Sequence, residues 1–256
     1  MSGGNLDHNM MDRQADVHLF KSEYAEARSI HTEIVQTSTG QYTYMQAISL
    51  LNIAEIDVII GVAASEVQRN LDNAGPMLST VSFLRGLLYS EMISADLSLR
   101  DGDVAKAKAI FHQSLNSALG NSSELVMYGL ERLANGTRWT DNTFDWTWSI
   151  IYLGYASRTQ QKLDLHKSLS FLANVFLSTG EIESAENLFN VALEGFTFMD
   201  VHQGRAECML YLGDIYRDRG EWEKAVEMWK AACPLFQCSL QAKAVAQIEL
   251  RLSHEL

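Results

Sequence analysis

Four positions set a polar side chain directly after a small residue: Glu55 after Ala54, Asp96 after Ala95, Asn174 after Ala173 and Asp214 after Gly213. Three of the four are acidic and none is basic. Phe171 lies three residues before Asn174 and Tyr211 three before Asp214, so on a helix each polar group would sit beside an aromatic ring. A carboxylate next to a ring suits a Lys or Arg side chain, which can use both the charge and the π face. The chemistry on offer is recognition of a basic group. Pairing with cations of the same chain, such as Arg217 and Lys167, is the alternative use of these residues.

Signals for bond-making chemistry are missing. The sequence has no phosphate-cradling Gly-x-x-x-x-Gly-Lys, no Gly-x-Ser-x-Gly elbow, no His-Glu-x-x-His and no Cys-x-x-Cys. Asp101-Gly102-Asp103 opens like a calcium loop, but Ala and Lys follow where ligands are needed, so a helix cap is expected. His31, His112, His166 and His202 form no ligand pair one helical turn apart. Cys208, Cys233 and Cys238 are odd in number, lack metal spacing, and fit reduced thiols in a cytoplasmic protein. The expectation is a non-catalytic chain without metal or cofactor.

What must position the four slots is a repeat. Gly180-Glu181, Ala185, Phe189 and Ala192 recur forty residues later as Gly220-Glu221, Ala225, Trp229 and Ala232. A weaker copy, Gly102-Asp103, Ala107, Phe111 and Ser114, precedes them. Leu172-Ala173 with Phe176, and Leu212-Gly213 with Tyr216, mark the helix before each glycine. Glycine stops one helix, the acid favours the start of the next, and small residues let paired helices approach while the aromatic fills the gap.

Leu212-Gly213-x-x-Tyr216 followed by Ala225-x-x-x-Trp229-x-x-Ala232 resembles the tetratricopeptide signature. The period near 40 is longer than the usual unit, and Gln237 holds the terminal proline slot. Longer units of this kind resemble the C-terminal arrays of fungal and bacterial signal-transduction ATPases. The resemblance implies an all-α, right-handed α-α superhelix of antiparallel pairs, whose first helices line a concave groove. Glu55, Asp96, Asn174 and Asp214 would then form its polar spine, with Phe171 and Tyr211 beside it. The reading is a protein-interaction scaffold that accepts a peptide or helix, basic by preference. Three alternatives stand beside it: a regulatory array related to those ATPases, a self-associating module docking through an apolar edge between Val17 and Ile34, and an enzyme on a helical-repeat frame. A chaperone-tail clamp is not expected, because Asp214 would repel a carboxylate.

Spacing and turn residues lay out the rest. Residues 1–17 read as a flexible polar lead-in and 18–256 as one repeat domain. Tyr24, Ala27, His31 and Ile34 mark a lone second helix. Helices follow at about 42–60, 65–74, 78–100, 103–118, 123–134, 142–159, 163–178, 182–198, 202–219 and 222–236, with a capping helix at 239–253. Gly75-Pro76 is expected to end the helix at 65–74. Phe144, Trp148 and Ile151 fit the buried stripe of an irregular pair, while Trp139 and Trp146 fall outside it as candidate interface anchors.

A net charge of −12 without a dense Lys/Arg run argues against nucleic acid. Glu55 and Asp57 interrupt the apolar run 48–60, which is too short for a bilayer. No basic start leads into an apolar segment, so export is not expected.

Overall fold

The computed structural model describes residues 3–38, 43–135 and 146–253, which hold 13 helices and no strand. Contacts group them into two compact units, one of residues 1–20 and 24–140 and one of 21–23 and 141–256. The first unit carries α1 (Gly3–Lys21), α2 (Tyr24–Thr37), α3 (Thr43–Ile60), α4 (Ala64–Thr80), α5 (Leu84–Arg100), α6 (Val104–Ala118) and α7 (Ser123–Asn135). The second carries α8 (Trp146–Thr159), α9 (Lys162–Ser178), α10 (Ile182–Phe198), α11 (His202–Asp218), α12 (Trp222–Cys238) and α13 (Ala242–Ser253). Within each unit consecutive helices from α2 onward pack as tetratricopeptide-like pairs, and in the first α5 also touches both α3 and α7 directly.

One burial pattern explains the even-numbered helices. Residues spaced four, three and four apart are buried in α2 and its end (Ala27, His31, Ile34, Ser38), α4 (Val67, Leu71, Ala74, Leu78) and α6 (Ala107, Phe111, Ser114, Ala118). The same stripe recurs in α10 (Ala185, Phe189, Ala192, Phe196) and α12 (Ala225, Trp229, Ala232, Phe236). Such spacing keeps one face of a helix inward, and the small members let the odd-numbered helix approach. At Gly213 the fit is close: an added Cβ would lie 2.5 Å from Trp229 Nε1 and 3.2 Å from the Ala225 carbonyl.

Turns repeat as regularly. Gly180 and Gly220, at φ of 84° and 80°, close α9 and α11, and the following N–H reaches back, Glu181 to the Phe176 carbonyl at 2.9 Å and Glu221 to Tyr216 at 2.8 Å. Glycine takes this left-handed conformation without the cost that a Cβ brings. In the second unit the turns after even-numbered helices do it without glycine: Gln160, Asp200 and Leu240, forty residues apart, have φ of 55°, 57° and 54°. Each costs about 1–2 kcal/mol against a right-handed residue.

Several expectations are corrected. The lead-in is helical from Gly3, since His8 and Ala15 are buried and Leu19 packs on Tyr24, Ala27 and Ile56. Hence α2 is not alone; His8 Nε2 and Thr37 Oγ1 join it to α1 at 2.9 Å. Ile34 is fully buried, so the edge expected from Val17 to Ile34 is partly covered, although Val17 is exposed. Gly75-Pro76 does not end α4; Leu78 continues its buried stripe one turn further, and the proline forgoes one backbone hydrogen bond. In α8 the buried residues are Ser149, Tyr152 and Ala156, one position on from the expected stripe, and Ile151 is exposed. Where one repeat domain was expected, the contacts divide into two units. By length and composition α3 could cross a membrane, contrary to the sequence reading, yet most of it is buried inside its unit.

Candidate functional site

In the first unit Glu55 on α3 and Asp96 on α5 are brought together by one side chain, and in the second Asp214 on α11 is occupied as well. In the first unit Arg132, on α7, spans both acids: Nε donates to Asp96 Oδ2 at 2.8 Å and Nη2 to Glu55 Oε1 at 2.9 Å. Tyr128 donates to Asp96 at 2.7 Å, and Tyr89 donates to Glu55 and, at 3.3 Å, to Asn52. The two tyrosine rings meet edge to face at 5.5 Å, and the guanidinium lies 4.5 Å over Tyr128. Asn52 in turn contacts His31 Nε2 at 3.2 Å, and Ser49 contacts its Nδ1 at 3.4 Å. One polar chain thus runs from α2 through α3 and α5 to α7.

Burial sets the protonation of this chain. It raises Asp96 to about 6 even though Arg132 and Tyr128 pull the other way. It lowers His31 to about 4, which keeps the ring neutral. It holds the Tyr89 and Tyr128 hydroxyls well above the usual range, so both remain donors. For Arg132 burial opposes the charge, and Asp96 leads the groups that override it. A second ion pair lies behind: Arg28 Nε donates to the fully buried Asp57 at 2.6 Å.

In the second unit Asp214, on α11, receives Arg251 of α13 as a fork, Nε to Oδ1 and Nη2 to Oδ2, both at 2.7 Å. Arg217 adds a longer contact at 3.6 Å, which answers the alternative of neighbouring cations. Asn174 is buried and donates to the Ser170 carbonyl at 3.0 Å; its Oδ1 has no partner among the described residues. Phe171 is buried and stacks on Tyr152 at 5.9 Å. Tyr211 is half-buried and stacks on Phe189 at 5.1 Å. Trp146 is 38% exposed and meets Phe176 edge-on at 4.9 Å. Trp139 lies outside the described residues.

The geometry of α9 to α12, two pairs forty residues apart with the same stripe and turn, has a counterpart. Residues 164–237 match the family model of the tetratricopeptide repeat. Tetratricopeptide repeats generally mediate protein–protein interaction and are typically non-catalytic. No curated protein matches the chain.

Sequence reasoning missed the guanidinium partners. Arg132 lies 36 residues after Asp96 and Arg251 lies 37 after Asp214. Near one repeat apart, both were findable by reading cations on the same period as the acids. Asp103 caps α6 as expected, its side chain accepting from Lys106 N at 3.1 Å. Among the described residues no cluster of His, Cys, Asp or Glu is placed to hold a metal ion.

Proposed function

We propose that the chain is a non-catalytic protein-interaction scaffold whose odd-numbered helices receive a peptide or helix bearing basic side chains. One observation carries the reading: the Asp214 slot accepts a guanidinium as a fork, with both bonds at 2.7 Å, so its shape and charge suit an arginine. A partner's arginine would enter by exchange with Arg251, at little change in charge. Asp214 is partly open to solvent, which suits exchange better than the more enclosed Asp96. Glu55 and Asp96 act in this reading by holding the row of helices in register, and Trp146 is a candidate contact at the rim.

The test is capture of partners from native extract on wild-type and Asp214→Asn chains, with each partner then measured in isolation. A basic partner is expected, weakened by Asp214→Asn and by salt as the Debye length shrinks from about 10 Å at 0.1 M toward about 3 Å at 1 M. Partners that are acidic, or indifferent to both changes, would refute the basic-peptide reading.

A further inference from the structure

The turn between α12 and α13 contains nothing that requires a turn. Ser239, Leu240 and Gln241 separate Cys238 from Ala242, without glycine or proline. All three residue types tolerate a right-handed helix, and leucine is among the better helix formers. Yet Leu240 is held at a φ of 54°. Unlike the Asp200 of the preceding turn, it has no short polar side chain to ease that conformation. The turn is fastened by Gln241 N to the Phe236 carbonyl and Ser239 Oγ to Leu235, each at 2.9 Å.

The helix beyond it is lightly attached. Ile248 is the one residue of α13 that is fully buried, packed among Trp229, Ala232 and Phe236, with Val245 and Leu252 half-covered beside it. Ala244 packs there too, and the Arg251 fork on Asp214 adds a polar tie. A face shaped for Ile248 and Arg251 fits one other object as well as it fits α13, namely the α13 of a second copy.

We infer that the chain forms a domain-swapped dimer in which α12 and α13 join into one continuous helix and each α13 seats on the α11–α12 face of the other copy. The joined helix spans 222–253 and is about 48 Å long at 1.5 Å per residue. Joining returns Leu240 to a right-handed conformation. It also gives the first N–H groups of α13 helical carbonyl partners, which a separate helix start lacks. The apolar contacts of Ile248 and the Asp214–Arg251 fork re-form between copies, so exchange sacrifices neither. Because each copy both gives and receives α13, the contact closes on a two-fold axis. The inference is independent of which partner the chain binds.

A charge exchange tests it. One chain carries Asp214→Arg and another Arg251→Asp; both residues are partly exposed. Alone, each has like charges facing at this position, in the monomer and in any swapped homodimer. Mixed, the swap restores one opposite pair at each of its two junctions. After brief mild denaturant and its removal, light scattering is expected to show a 1:1 dimer from the mixture, and monomer from each chain alone. Monomer throughout, or equal dimer in all three samples, overturns the inference. Circular dichroism confirms folding, and Leu240→Gly supplies a second arm: by relaxing the closed turn in both copies it should weaken wild-type dimerisation about a hundredfold, about tenfold for each turn. A dimer unaffected by Leu240→Gly also overturns it.

Discussion

Arg132 answers two carboxylates from two helices, so its loss strands both. Asp96 and Glu55 would remain largely buried without a countercharge, and Arg132→Met is expected to destabilise the first unit by about 3–5 kcal/mol in urea unfolding. Protonation in the same chain of contacts gives a sharper test. The folded form holds the Asp96 proton up to a pH of about 6, against 3.8 for an ordinary aspartate. Over that interval the folded state binds more protons, so this group makes stability fall as pH rises. His31 has the opposite sign: at about 4 when folded against 6.5 otherwise, it makes stability rise with pH across its interval. The two slopes oppose each other between about pH 4 and 6. Asp96→Asn should therefore expose a rising stability curve and His31→Gln a falling one, relative to wild type, in unfolding titrations over that range. Variant curves parallel to wild type would contradict both assignments.

At the scale of the elements, glycines do two different jobs. An added Cβ at Gly180 meets nothing within 4 Å, so Gly180→Ala pays only for the left-handed backbone, about 1–2 kcal/mol. At Gly213 the same substitution drives a methyl into the Trp229 ring and toward the Ala225 backbone, and overpacking of about 1–3 kcal/mol is expected, with a shift in tryptophan emission. Thermal melts of the two variants would separate backbone strain from packing. Much of this level was legible in the sequence: the four helices from α9 to α12 lie within a residue or two of their expected limits, because glycine, alanine and aromatic recur there at full strength. What stayed hidden did so for physical reasons. In α1 few apolar residues mark the buried side; in α4 packing of Leu78 outweighs a proline; in α8 adjacent aromatic and aliphatic residues allow two registers, and Tyr152 rather than Ile151 is inside. The four slot residues lie on the odd-numbered helices α3, α5, α9 and α11. Their occupants were not legible, because an arginine one repeat away carries no local mark.

Each of the two units has core clusters of its own. Leu51, Leu71 and Ile93 belong to a cluster of the first, while Phe189, Leu212 and Trp229 belong to clusters of the second. Trp146, Trp148, Trp222 and Trp229 all lie in the second unit. Tryptophan emission should thus follow the second unit mainly, and far-ultraviolet circular dichroism should follow both. The two probes are expected to give different urea midpoints, and coincident curves would mean one cooperative block.

The reach of Arg132 from α7 past α5 to α3 has a mechanical consequence. A row of helices joined only to nearest neighbours can be drawn out like a loose spring, each junction yielding a little. A guanidinium strung between the first and third members acts as a tether, slack-free in the resting shape. Load applied along that row has to rupture an enclosed ion pair before it lengthens, so this half of the chain should resist gentle tension and then give way abruptly.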